Sequence, residues 1–306
     1  MTRTATTVWL DGKLLDDDQM QLHALTHALH YGSSVFEGIR VYATPQGPTI
    51  FRLREHVDRL VAGAATYGID LGRDADGLSE AIVETVRASG RDAAYVRPLA
   101  YFGGETVRLN PGPECPVHLM IAVLPFDGLV PGTGVPLFRA TISPFMKTPS
   151  RALPSTVKAG GHYTNSIRAL AEAQARGFDE TLLLNDRGDV AEGSGENVFV
   201  VRDGVLITND ADADILPGIT RASILALARE AGITTRVRPL TLDDLAACEE
   251  AFFTGTAAEV VPIVRIDDRD FGAEGALTER LRIIYTDVVR ARRPAPGPWL
   301  TPVSSS

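Results

Sequence analysis

The stretch Pro154-Ser155-Thr156-Val157-Lys158-Ala159-Gly160-Gly161-His162-Tyr163 carries one of only three lysines in a chain with 27 arginines. The other two are Lys13 and Lys147. A sequence that writes nearly every cation as Arg has kept a Lys between a β-branched run and a Gly pair, where a solvated charge is not expected. Arg cannot form a Schiff base, because its guanidinium stays protonated, whereas a desolvated Lys loses its proton and condenses with carbonyls. Lys158 is therefore the candidate covalent site, set against the plain alternative of a chance survivor in an Arg-rich chain. Lys13 and Lys147 have no comparable neighbours and read as surface charges.

Working outward, 306 residues suggest two domains of ordinary size, and 44% hydrophobic with 23% charged residues describes a globular chain with a sizeable core. The net charge of -9 argues against nucleic acid or an anionic membrane surface as partner. Cys115 and Cys248 lie far apart and outside metal-ligand spacing, which points to a reducing, cytoplasmic setting. No apolar run is long enough to span a bilayer. Thr7 to Leu10 and Lys13 to Leu15 around Asp11-Gly12 read as a hairpin, followed by strands at 34–42 and 49–52. Apolar residues at i, i+3, i+4 and i+7 predict helices over 54–67 and 78–88, and apolar runs predict strands at 94–102 and 117–124. Pro125 to Gly134, with two prolines and three glycines, is the strongest composition break. It sets the expected boundary: a small domain over 1–124, an interdomain loop over 125–134 and a large domain over 135–306, with a loosely held tail from about 293. In the large domain, strands are expected at 135–142, 180–185, 198–202, 205–208 and 251–254, and helices at 163–176, 219–231 and 277–290.

If Lys158 binds an aldehyde cofactor, a phosphate cup, a carboxylate for a ring nitrogen and a hydroxyl should accompany it. Leu216-Pro217-Gly218-Ile219-Thr220-Arg221 opens a helix, so the amides of Ile219 and Thr220 and the Thr220 hydroxyl can meet an anion at its positive end. An ordinary helix start reads the same way. Thr254-Gly255-Thr256-Ala257-Ala258-Glu259 is a second small-residue turn able to offer amides and the Thr256 hydroxyl. Glu192, in Val190-Ala191-Glu192-Gly193-Ser194-Gly195-Glu196-Asn197, can hold a proton on a pyridine nitrogen, with Glu196-Asn197 pinning the loop. His23, His27 and His30 have a spacing that could ligate metal, but no carboxylate or cysteine flanks them suitably, so they read as structural and no metal is expected. Arg59 reads as a surface cation or a phosphate clamp.

Together these residues resemble the branched-chain amino-acid aminotransferases of the class IV, fold type IV family of pyridoxal-phosphate enzymes. The resemblance runs from Trp9 to about Val289. It rests on His27-Ala28-Leu29-His30-Tyr31-Gly32 with Val35-Phe36-Glu37-Gly38-Ile39-Arg40, on Lys158-Ala159-Gly160-Gly161, and on the Glu192, Leu216 and Phe253-Thr254 blocks in the family's order. It implies an α+β, two-domain architecture with a smaller N-terminal α/β sandwich domain and a larger C-terminal pseudo-barrel domain. It also implies pyridoxal 5'-phosphate as cofactor, Lys158 as its attachment point and proton shuttle, Glu192 at the pyridine nitrogen and Tyr163 near the phenolic oxygen. Arg59, Ile219, Thr220 and Thr256 would bind the phosphate, with Leu216 against the ring. Tyr31, Phe36, Gly38, Tyr95, Arg97 and Ala257 would line the substrate pocket, Arg97 receiving the side-chain carboxylate of glutamate. The implied reaction is ping-pong transamination between L-leucine, L-isoleucine or L-valine and 2-oxoglutarate, by a homodimer or higher homo-oligomer.

Two substrate loops depart from the family. Gly103 to Pro111 carries Arg108 where a neutral residue is expected, and the interdomain loop has Phe126 and Leu129 where Trp and Tyr are common. Either change is compatible with apolar repacking or with a shifted substrate range. The alternatives on the same fold are a D-amino-acid or (R)-amine transaminase and an aminodeoxychorismate lyase, which Tyr95-Val96-Arg97 disfavours. A cofactor-free binding protein descended from the enzyme is the reading from another class, disfavoured by Lys158, Glu192, Arg59 and both turns.

Overall fold

Asp11 and Gly12 adopt φ of 49° and 97°, the left-handed values a tight hairpin needs, and so fold β1 (Thr7–Leu10) onto β2 (Lys13–Asp16). The computed structural model to which these strands belong describes residues 6–104, 106–126, 128 and 134–303. Its contacts separate two units: Met1–Asp127 with Val157–Gly161 and Gly297–Ser306, and Gly128–Thr156 with His162–Pro296.

In the first unit, α1 (His27–Tyr31) stops at Gly32, whose φ of 65° lets its N–H turn back to the Ala28 carbonyl. The strand expected over 34–42 is two strands, β3 (Ser34–Phe36) and β4 (Ile39–Thr44). Both pair with β6 (Ala94–Phe102) in one continuing register, which sets Glu37 opposite Pro98. The Glu37 N–H still donates to the Pro98 carbonyl at 2.9 Å, but proline has no N–H to return, so the pairing is only half made there and the two strands are separated at Glu37 and Gly38. β5 (Gly47–Phe51), α2 (Leu53–Thr66), α3 (Ala75–Ser89) and β7 (Val117–Pro125) follow. Asp74 caps α3 by accepting from the Gly77 N–H at 2.8 Å, and Gly90 at φ 62° ends it. The helical stripes Val57, Leu60, Ala64 and Leu78, Ile82, Val86 are buried together with Ile39, Val41, Val96 and Ile121 of the strands. Each large aliphatic buried this way stabilises the unit by about 1.5–3 kcal/mol.

The second unit contains β8 (Phe138–Ile142), α4 (Tyr163–Ala175), β9 (Glu180–Leu184), β10 (Val190–Glu192), β11 (Asn197–Arg202), β12 (Val205–Thr208) and α5 (Ile219–Glu230). β13 (Thr235–Val237), α6 (Leu242–Ala247), β14 (Glu250–Gly255), β15 (Glu259–Ile266), β16 (Arg269–Asp270) and α7 (Ala276–Val289) complete it. The sheet runs β10-β9-β8-β15-β14-β11-β12-β13, with β16 on β15. β15 was not anticipated, because Pro262 interrupts its apolar run and reads against a central strand. It pairs antiparallel with β14 and parallel with β8, the latter with an irregularity between Ile263 and Arg265.

The expected division of the chain is corrected in two places. Residues 157–161 group with the first unit, through an Ala159 bridge to Val35 and a hydrogen bond from the Phe36 N–H to the Lys158 carbonyl at 3.0 Å. The tail is not loose over its last described residues: β17 (Leu300–Pro302) pairs with β5, and Trp299 and Val303 are buried. The Trp299 ring meets Phe51 edge-on at 5.8 Å and lies under the Arg52 guanidinium at 4.9 Å, which is why a Pro- and Ser-rich tail docks. Of the predicted interdomain loop, Leu129 lies outside the described residues.

Candidate active site

In the first unit the glycines around Lys158 have a steric cause. A Cβ on Gly32 would come within 2.8 Å of the Gly161 Cα, and one on Gly160 would strike the Ser34 hydroxyl, so only glycine permits this approach. Gly161 N–H donates to the Gly32 carbonyl at 3.1 Å, and the Lys158 strand is thereby fastened beside β3. Lys158 Nζ lies 5.1 Å from the centre of the Phe36 ring. The Arg97 guanidinium lies 4.6 Å from the same centre and donates through Nη2 to the Tyr95 hydroxyl at 3.2 Å. Gly38 is open for a reason: a Cβ there would overlap the Tyr95 hydroxyl. Phe126 packs on Tyr95 at 5.6 Å and under the Arg40 guanidinium at 4.4 Å, so this departure from the family joins the same cluster.

Beside it lies a charged group that sequence reading missed. Glu37 is 1% exposed and accepts from His56 Nδ1 at 2.7 Å, Arg59 Nε at 2.6 Å and Arg59 Nη2 at 2.9 Å. Burial alone would raise its pKa, but Arg59 and His56 outweigh that and hold it at about 2. Arg59, expected as a surface cation or phosphate clamp, thus gives one edge of its guanidinium to Glu37. Burial lowers the pKa of Lys158, Arg59 and Arg97 act in the same direction, and Glu37 and Tyr95 oppose them, leaving a net downward shift. The shift moves Lys158 toward the neutral, nucleophilic amine. Tyr31 is exposed and its hydroxyl donates to the Val107 carbonyl at 2.7 Å. Arg108 is also exposed, and its carbonyl accepts from His27 Nε2 at 3.0 Å. The His30 ring bonds the Ala24 carbonyl at 2.9 Å, and His23 Nδ1 accepts from the Leu25 N–H at 3.2 Å. No cluster of His, Cys, Asp and Glu suited to a metal occurs among the described residues.

In the second unit, Glu192 ends β10 and is 6% exposed. Its Oε2 accepts from the Leu216 N–H at 3.0 Å and from Asn197 Nδ2 at 3.1 Å, and its Oε1 lies 2.6 Å from Lys147 Nζ. Lys147 is therefore no surface charge, and the expectation that it stood alone is corrected. The following loop is pinned by Glu180, which accepts from the Ser194 N–H at 3.0 Å and its hydroxyl at 2.9 Å. Asn197 also donates to the Leu216 carbonyl at 2.9 Å, and a Cβ on Gly218 would collide with its side-chain oxygen. Leu216 and the start of α5 are thus fastened to Glu192 through one amide. Gly218 is the N-cap of α5 and has no side chain of its own to cap it, and the first helical residues Ile219 and Thr220 are buried. Thr256 and Ala257 form the turn between β14 and β15. Thr254, two residues earlier, faces Asn197 in the register, and its buried hydroxyl makes no hydrogen bond among the described residues. Tyr163 opens α4 and acts electrostatically on Lys147.

These donor sets fit a phosphorylated pyridine aldehyde. A half-buried amine with a lowered pKa suits the aldehyde, a buried carboxylate with three donors suits a ring N–H, and a helix that starts at a glycine suits an anion. The family model described as Amino-transferase class IV matches residues 34–266. The branched-chain-amino-acid aminotransferase of Pseudomonas aeruginosa is 40% identical over 297 residues, 96% of either chain. Among solved structures, the branched-chain aminotransferase of Thermoproteus uzoniensis with norvaline superposes with a TM-score of 0.93 at 40% identity, covering 98% of this chain and all of that one. The T.th. branched-chain amino acid aminotransferase complexed with N-(5'-phosphopyridoxyl)-L-glutamate gives 0.91 at 41% identity, covering 98% and 99%. The mixed helix and sheet fold is that of these enzymes, and the chain belongs to the branched-chain amino-acid aminotransferases of the class IV family.

Proposed function

We propose that this chain transfers the amino group between L-leucine, L-isoleucine or L-valine and 2-oxoglutarate in two half-reactions. When bound, pyridoxal phosphate supplies the aldehyde that receives the amino group and a ring that accepts the electron pair left at the substrate Cα. Lys158 Nζ would hold the cofactor covalently and, once freed by the incoming amine, would carry the proton taken from the substrate Cα, so no proton would need to come from solvent. Glu192 would hold the proton of the ring nitrogen, and Tyr163 would orient the phenolic oxygen. Arg59, Ile219, Thr220 and Thr256 would hold the phosphate, and Leu216 would pack against the ring. Phe36, Tyr31 and Tyr95 take the apolar side chain, Gly38 leaves it room, and Ala257 offers its amide to the α-carboxylate.

The observation that carries this reading is the placement of Arg97. Its cation lies on the Phe36 ring that also neighbours the Lys158 amine, so an apolar side chain and the side-chain carboxylate of glutamate both find a partner near one reacting nitrogen. The solved relative bound to a phosphopyridoxyl glutamate supports a glutamate partner for this chain too. No helix among the described residues is long and apolar enough to cross a membrane. The same reading extends to a cytoplasmic homodimer, as the family resemblance implies.

The test is a panel of half-reactions: loaded protein mixed with L-leucine, L-glutamate, D-alanine or (R)-1-phenylethylamine, following loss of the visible band of the bound cofactor. L-Leucine and L-glutamate should react fastest. Faster loss with D-alanine or the amine would transfer the assignment to a D-amino-acid or (R)-amine transaminase. A Lys158→Ala protein that still transaminates would overturn the role of Lys158.

A further inference from the structure

Lys147 is one of three lysines in the chain and follows β8, where its backbone N–H donates to the Leu184 carbonyl at 2.7 Å. Its side chain is 16% exposed and ends 2.6 Å from Glu192 Oε1. A carboxylate offers about four lone-pair positions. Leu216 N–H and Asn197 Nδ2 take two on Oε2, and Lys147 takes one on Oε1. The position left for a ring N–H is therefore on Oε1, the oxygen that Lys147 holds. The geometry points to Lys147 as a positioning residue that fixes the Glu192 carboxylate for the ring nitrogen of pyridoxal phosphate. This rests on the assignment of Glu192 made above.

The charge balance agrees with the contacts. Burial would lower the Lys147 pKa, but Glu192 outweighs burial, Tyr163 and Asp214 add to it, and the net shift is upward. Lys147 stays a cation at neutral pH and sets its charge against the carboxylate it touches. It would meet a ring nitrogen only through that carboxylate, so removing its charge would change the field at the ring nitrogen. A second consequence concerns orientation: with both oxygens held from protein donors, Glu192 cannot rotate away while the cofactor is exchanged.

The experiment compares Lys147→Gln, which keeps a donor without the charge, with Lys147→Arg, which restores a cation. The Gln protein should bind pyridoxal phosphate about tenfold more weakly by equilibrium dialysis and move the pH midpoint of the cofactor's visible band by about one pH unit, a tenfold change in proton affinity. Its kcat should fall about tenfold with the leucine KM within threefold, and Lys147→Arg should recover all three readouts to within threefold. A Gln protein that only loses urea stability, with band midpoint and cofactor affinity unchanged, would reduce Lys147 to a structural tie and overturn the inference. Glu192→Gln separates the two levels. If it lowers cofactor affinity and kcat while Lys147→Gln does not, Lys147 alone is misassigned; if it changes neither, the assignment of Glu192 falls as well.

Discussion

Replacing Glu37 by Gln tests whether the buried cluster beside Lys158 is an ion pair that stabilises the first unit. The carboxylate accepts three hydrogen bonds from His56 and Arg59 at 1% exposure. A Gln amide can accept on one atom only and turns two N–H donors toward His56 or Arg59. With Glu37 held at about 2 against an ordinary 4.5, the linked free energy is about 3 kcal/mol, at 1.36 kcal/mol per decade. That agrees with the roughly 3–5 kcal/mol lost when one partner of a buried pair is removed. Because the folded value is the lower one, the contribution is complete above 4.5 and is lost as pH falls toward 2. The assay is urea unfolding of the cofactor-free proteins at pH 7 and pH 4. Glu37→Gln should be less stable by about 3 kcal/mol at pH 7, and the gap should narrow by about 1 kcal/mol at pH 4. A gap below about 0.5 kcal/mol at pH 7, the size of an ordinary surface change, would refute the reasoning. So would a gap that widens on acidification.

Substitution at Gly38 and labelling of the two half-buried lysines extend the test to the rest of the site. Gly38→Ala places a methyl on the Tyr95 hydroxyl, and overpacking of this kind costs about 1–3 kcal/mol. If Tyr95 yields, its bond from Arg97 is lost and the KM for glutamate should rise about tenfold in steady-state kinetics; an unchanged KM would show that the close approach is not needed for substrate. In cofactor-free protein, trace acylation read by mass spectrometry should label Lys158 with a pH midpoint below that of Nα-acetyl-lysine, because burial lowers its pKa. Lys147 should label with a midpoint above that reference, since its shift is upward. Equal midpoints for the two lysines would contradict at least one of the two assignments.

Much of the architecture was legible locally. The hairpin at Asp11-Gly12, the helices over 53–66 and 163–175 and the strand over 94–102 follow from turn chemistry and periodicity, which act within a few residues. The break at Glu37 was not legible, because its cause is Pro98 on another strand. β15 was missed because Pro262 speaks locally against a strand that β8 and β14 nevertheless enclose.

The candidate site divides in the same way. Lys158, Glu192 and the two small-residue turns stand out in the sequence because of their local composition: a lysine among arginines, glycines beside a carboxylate, a Pro-Gly helix start and a small-residue turn. Their partners do not stand out. Lys147 looked like a surface charge and Glu37 like part of a strand motif, and nothing in their neighbours along the chain says otherwise. What makes them members of the site is desolvation beside a group of opposite charge, Lys147 against Glu192 and Glu37 against Arg59. Composition and local order fix which residue types are available for the chemistry. Which charges are buried together is a property of the folded chain, because burial and pairing depend on distance in space rather than along the chain.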